Sequence, residues 1–140
     1  MYVTEILSEY LANYPSTALP PDLRSSAACC IVDAVTACVV GCDVPSARAA
    51  REIARCDFGA GRAAVWFTGE SLGVTAAAYC NAASVSALDF DDGHRAARGH
   101  PGAAVIPVAL SVASAIGASA DDLFTAVALG YEIGIRIAVA

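Results

Sequence analysis

The chain contains no lysine. Its eight basic residues are all arginine, and fourteen aspartates and glutamates give a net charge of −6. With no positive field to gather phosphates, a nucleic-acid partner is not expected. Charge of either sign is scarce, at 16% of residues against a typical value of about 25%, while 57% of the chain is apolar. That balance excludes a disordered chain. A Gly-rich phosphate loop, a nucleophile elbow and a Cys/His nucleophile signature are all missing, and Ser84 and Ser86 have no positioned base. No leader with a basic start and a small-residue cleavage site is expected. The six cysteines (Cys29, Cys30, Cys38, Cys42, Cys56, Cys80) lie in apolar runs, so reduced, buried thiols in a cytoplasmic protein are expected. Cys38 and Cys42 stand four apart without the partners that a zinc site needs.

The 140 residues amount to about one domain. So apolar a chain of this size cannot hide all of its greasy surface, and part of it should face a partner or further chain. Periodicity predicts an all-α architecture of about six helices. Val3, Ile6, Leu7, Tyr10, Leu11 and Tyr14 form one face of a first helix ended by Pro15. Leu23 to Val40 forms a second, with Gly41 as its C-terminal cap. Ser46–Arg55 follows, with Arg48, Arg51 and Arg55 making a basic, solvated face. A short extended segment is expected over 63–67, then a helix over Ser71–Ala87. Two further helices, Ala103–Ile116 and Ala120–Val139, are separated by Gly117, with Ser119 and Asp122 at capping-box spacing. Gly102 to Ala120 runs nineteen residues without a charge, long enough to span a bilayer. It is rich in Ala and Ser, carries Pro107 and lacks aromatic anchors, so a helix enclosed by protein is expected and no membrane partner. The later helix should be similarly enclosed, Glu132 and Arg136 neutralising each other at i, i+4.

The chemically dense stretch lies between these helices. Asp89, Asp91, Asp92, His94, Arg95, Arg98 and His100 fall within twelve residues and include both histidines of the chain. Crowded carboxylates raise one another's pKa, imidazole titrates near neutrality, and guanidinium groups clamp carboxylates, so such a segment suits proton transfer on a small acid. Two other readings stay open here. The segment can be a solvated loop whose aspartates cap helices and whose His-Pro-Gly opens the next one. It can also be a divalent-metal site of a hydrolase, although it lacks the alternating oxygen ligands and closing Glu of an EF-hand.

The stretch Asn81-Ala82-Ala83-Ser84-Val85-Ser86-Ala87-Leu88-Asp89-Phe90-Asp91-Asp92-Gly93-His94 resembles the MmgE/PrpD family. So do Gly99-His100-Pro101-Gly102, Val105-Ile106-Pro107-Val108-Ala109-Leu110, Gly130-Tyr131-Glu132-Ile133 with Arg136, and the segment from Asp33 to Gly41. The family includes 2-methylcitrate dehydratases, cis-aconitate decarboxylases and iminodisuccinate epimerases, which move protons beside a carboxylate of small di- and tricarboxylic acids without metal or organic cofactor. The resemblance implies an active site lined by Asp89 and His100 as acid/base partners, with His94 and Asp92 as further acid/base candidates. Arg95, Arg98 and Gly93 would bind a polycarboxylate substrate. Gly93 stands where dehydratases and decarboxylases commonly carry threonine, and Ser86 and Ala82 replace a frequent histidine and glycine. These replacements leave epimerase-like chemistry open.

Family members are about three times longer, so residues 1–140 are expected to be the first third of the helical domain, without its later helices and its lid. A homodimer through a helical surface is expected. The rival expectation is a truncated, catalytically inactive oligomerisation module.

Overall fold

The computed structural model describes residues 2–15 and 19–140. Among them six α-helices carry the fold: α1 (Val3–Asn13), α2 (Pro21–Gly41), α3 (Pro45–Asp57), α4 (Val74–Val85), α5 (Pro101–Ile116) and α6 (Ala120–Val139). Pro21, Pro45 and Pro101 each open a helix, at the position where a missing N–H leaves nothing unpaired. The Ser119/Asp122 capping box opens α6 as expected. Gly117, at φ +66°, ends α5 in the left-handed conformation.

The extended segment is half of a hairpin. Strand β1 (Ala63–Val65) pairs antiparallel with β2 (Glu70–Leu72), Ala64 opposite Ser71. Ser71 and Leu72 therefore belong to a strand, and the helix expected from Ser71 starts at Val74 instead. Gly69, at φ +75°, turns the chain just before β2. At its other end α4 tightens into a 3₁₀ turn over Ser86–Leu88.

Helix α4 is the hub, packed against α2, α3 and α5. Its Ala76, Ala77, Cys80, Asn81, Ser84 and Val85 are buried. On one side lies a core of small residues, in which Ala34, Ala37 and Cys38 of α2 meet Val85, Ile106 and Val127. On the other, Ala54, Val65 and Leu72 pack against Ala76, Ala77 and Cys80. Buried Asn81 docks the hairpin, its Oδ1 accepting from Trp66 N–H at 2.9 Å and its Nδ2 donating to the Ala64 carbonyl at 3.1 Å. Helix α2 is long and apolar enough to cross a membrane by length and composition, and here one of its faces lies in the core.

Four further expectations change. Gly41 does not act as a left-handed cap. It lies within α2, where a Cβ would sit 2.1 Å from the Ser84 carbonyl oxygen, so its bareness lets α2 and α4 touch. The arginine face of α3 is not solvated throughout. Arg51 is buried, donates to the Cys42 carbonyl at 2.5 Å and lies 3.9 Å from Glu70, while Arg55 forks onto Glu70 at 2.6 and 2.9 Å. That fork holds the Glu70 carboxyl below its ordinary pKa. Of the cysteines, Cys38, Cys42 and Cys80 are buried, but Cys29 and Cys56 are exposed. Burial, then the neighbouring Cys42, pushes the Cys38 thiol up to about 11, which removes it from nucleophilic chemistry. Finally, α5 and α6 are not enclosed on all sides: Val108, Val112, Ile116 and Ile137 are exposed.

Arg51→Met is expected to lower stability by about 1.5–3 kcal/mol, because it strands the buried Cys42 carbonyl and removes a charge-assisted bond. Chemical denaturation reads this directly, and an unchanged midpoint would show that Arg51 is a passive filler.

Candidate active site

Asp89 and His100 stand at the facing ends of two packed helices. The 3₁₀ turn after α4 delivers Asp89 at φ 58°, ψ 35°, a left-handed position that aspartate tolerates better than most residues. His100 is the residue just before α5. Between them the chain folds back on itself, His94 N–H donating to the Gly99 carbonyl at 2.9 Å with Arg98 at φ 53°. Because α4 and α5 pack along each other, the two ends converge. His100 Nε2 lies 3.0 Å from Asp89 Oδ1.

The other ring nitrogen meets Asp91, which the sequence places in the dense stretch without a role of its own. His100 Nδ1 lies 3.5 Å from Asp91 Oδ1 and 3.3 Å from the Asp91 carbonyl oxygen. The three side chains differ sharply in exposure, at 85% for Asp89, 38% for His100 and 1% for Asp91. Both nitrogens of the ring thus face oxygens, and a neutral imidazole has only one N–H to give. A proton on the ring serves both sides. A proton on Asp91 serves the second side equally well. Beyond its own backbone N–H, no hydrogen-bond donor is bonded to either carboxylate oxygen of Asp91 among the described residues, and burial pushes its pKa up, with that N–H and then the His100 charge pulling the other way. Asp91 was hard to single out because three aspartates within four positions look alike until the fold buries one of them.

The raised Asp91 pKa gives a signed prediction. The folded chain holds this proton at pH values where the unfolded carboxyl, ordinarily near 3.9, has released it, so the group destabilises the fold increasingly as pH rises through the folded pKa. Asp91→Asn is expected to melt at or above the wild-type temperature at pH 7 and to lose that advantage below about pH 4. A variant that melts lower at pH 7 but equally at pH 3.5 would show that the ionised carboxylate is a net stabiliser.

The remaining candidates take other places. His94 Nδ1 accepts from Ala97 N–H at 3.1 Å, so in the neutral ring Nε2 carries the proton. His94, Arg95 and Arg98 line a shallow depression of about 300 Å³ together with Gly93, Gly99 and His100. Arg95 and Arg98 are exposed there, and neither forms an ion pair with another described residue. A side chain at Gly93 would meet only the His100 Cε1 carbon, at 4.0 Å, so the floor beside the imidazole is open. Asp92 is engaged in scaffolding: its N–H donates to Asp33 at 2.9 Å and its Oδ1 accepts from Gly102 N–H at 3.0 Å. Asp89, Asp91 and His100 each offer a ligand atom within 4.8 Å of the others, a set of donors that a divalent cation accepts.

An imidazole held between two carboxylates, beside arginines on an open depression, is an arrangement that can exchange protons and attract an anion. Sequence comparison gives the lineage. The model of the MmgE/PrpD N-terminal domain matches residues 5–140, and the chain belongs to the MmgE/PrpD family. Among curated relatives, the cis-aconitate decarboxylases of Aspergillus terreus and of Aspergillus terreus strain NIH 2624 / FGSC A1156 are each 27% identical over 140 aligned residues, covering 96% of this chain and 29% of theirs. The chain therefore spans less than a third of the length of these relatives. No solved structure matches it.

Proposed function

We propose that residues 1–140 supply the proton-transferring half of an enzyme acting on a small di- or tricarboxylic acid, as a dehydratase-type lyase or an epimerase. The observation that carries this reading is the 3.0 Å contact between His100 Nε2 and Asp89 Oδ1, open to solvent on the Asp89 side and backed by the buried Asp91 carboxylate. Asp89 takes the proton from the carbon beside a substrate carboxylate. In elimination, the C–H electron pair becomes the double bond and the leaving hydroxide departs as water with a proton from His100. In epimerisation, the electron pair passes into the adjacent carboxylate as an enolate until His100, with the substrate carbon seated between it and Asp89, returns a proton to the opposite face. Asp91 orients the imidazole and supports its charged form. Arg95 and Arg98 hold a substrate carboxylate, with His94 as a further proton donor and Gly93 leaving room at the ring. The scheme uses no metal or organic cofactor. Family membership supports the chemistry, and the relatives named for cis-aconitate support a polycarboxylate substrate. The test is turnover of citrate-like and aspartate-derived acids by the full-length protein. No turnover of any of them defeats the reading.

One observation favours a second reading, a non-catalytic oligomerisation module. Val108, Val112 and Ile116 recur along one side of α5 and, with Leu123 and Ala126 of α6, line an apolar groove of about 520 Å³. A homodimer contact on this strip fits either reading. A stable, soluble oligomer inactive on all of these acids would favour the module.

A further inference from the structure

Tyr131 of α6 ends in a buried hydroxyl that has no hydrogen-bond partner among the described residues, close to the start of α5. Two glycines bring it there. A Cβ on Gly130 would lie 2.6 Å from Val105 Cγ1, so the bare backbone at 130 lets α6 close onto α5. A Cβ on Gly102 would lie 2.3 Å from Asp92 Oδ1 and 2.6 Å from the Tyr131 hydroxyl, so both oxygens crowd the space that Gly102 leaves empty. A buried hydroxyl needs an acceptor, and the Asp92 carboxylate is the anionic one beside it. The same carboxylate takes the Gly102 N–H two residues after His100, and the Asp92 backbone is tied to Asp33 of α2.

We propose that Tyr131 is a positioning residue, which donates to Asp92 and thereby pins the first turn of α5 against the Asp89–Asp92 segment, fixing His100 against Asp89. Burial, followed by the neighbouring Asp92 and Cys30, raises the Tyr131 pKa, so the phenol keeps its proton to donate. The role rests on the proton-transfer reading above, but its structural claim can be read without turnover.

The experiment is Tyr131→Phe in the full-length protein, which keeps the ring and removes only the hydroxyl. Amide hydrogen exchange at the first turn of α5 is followed by NMR, and kcat and KM are measured with any acid the wild type turns over. The expected result is exchange at the start of α5 faster by about tenfold or more, with kcat reduced about tenfold or more and KM within about twofold. Gly102→Ala, which wedges the same oxygens apart, should speed exchange there in the same way. Exchange at the start of α5 unchanged in both variants overturns the proposal. If Asp89 and His100 themselves prove dispensable for turnover, the proton-transfer reading fails while the exchange still decides the role of Tyr131.

Discussion

His100→Gln in the full-length protein is expected to lower kcat on the proposed acids by about 100- to 10,000-fold with little change in KM, the range that a positioned acid or base contributes. In free energy that is about 3–5 kcal/mol of transition-state stabilisation, at 1.36 kcal/mol per tenfold. Glutamine keeps a polar side chain at the mouth of the depression, so binding of the substrate through Arg95 and Arg98 should survive. Asp89→Asn should fall in the same range, because it removes the other member of the 3.0 Å pair. The double variant should be little worse than either single one, since each group depends on the other across the 3.0 Å contact and the two act as a unit. A double variant whose losses multiply would mean that the two residues work in separate steps.

The second large effect is structural. Gly41→Ala is expected to destabilise the protein by about 2–3 kcal/mol, at the upper end of the ordinary overpacking range. Two effects oppose each other there. Alanine is the better helix former by about 0.8–1.0 kcal/mol. The added Cβ, however, would lie 2.1 Å from the Ser84 carbonyl oxygen and 3.2 Å from its carbon. Both are backbone atoms of the hub helix, so relief requires α2 and α4 to separate, and the clash wins. Gly134 on α6 provides the control, because a Cβ there meets nothing within 4 Å. Gly134→Ala should raise stability by about 0.5–1 kcal/mol. Thermal melting of the pair tests the packing directly, and a Gly41→Ala protein as stable as wild type would mean that the two helices are loosely joined.

These two sites also mark how far the sequence could be read. The helices were legible because prolines, the Ser119/Asp122 box and apolar periodicity all act within a few residues. The hairpin was half visible: Ala63–Val65 stood out by texture, while Glu70–Leu72 merged into the alanine-rich run after it. Gly41 looked like a cap because a glycine after an apolar run usually is one. Only the approach of Ser84, forty-three positions away in sequence, gives it another job. Arg51 falls on a charged stripe whose spacing predicts a solvated face, because nothing local shows that the Cys42 carbonyl and Glu70 close over it. At the candidate site, the gathering of acids and bases in 89–100 was plain from composition. The division of labour among the aspartates was not. Burial separates Asp91 from Asp89, and the bonds to Asp33 and Gly102 separate Asp92 from both.

The most direct measurement is wash-in of solvent deuterium at the carbon beside a substrate carboxylate, followed by NMR with the full-length protein in heavy water. A citrate-like and an aspartate-derived acid would each be offered. Proton transfer by the Asp89–His100 pair predicts that deuterium enters one of these acids with the wild-type protein, and that Asp89→Asn and His100→Gln slow its entry by at least about 100-fold. Deuterium entering at the wild-type rate in both variants would contradict the account.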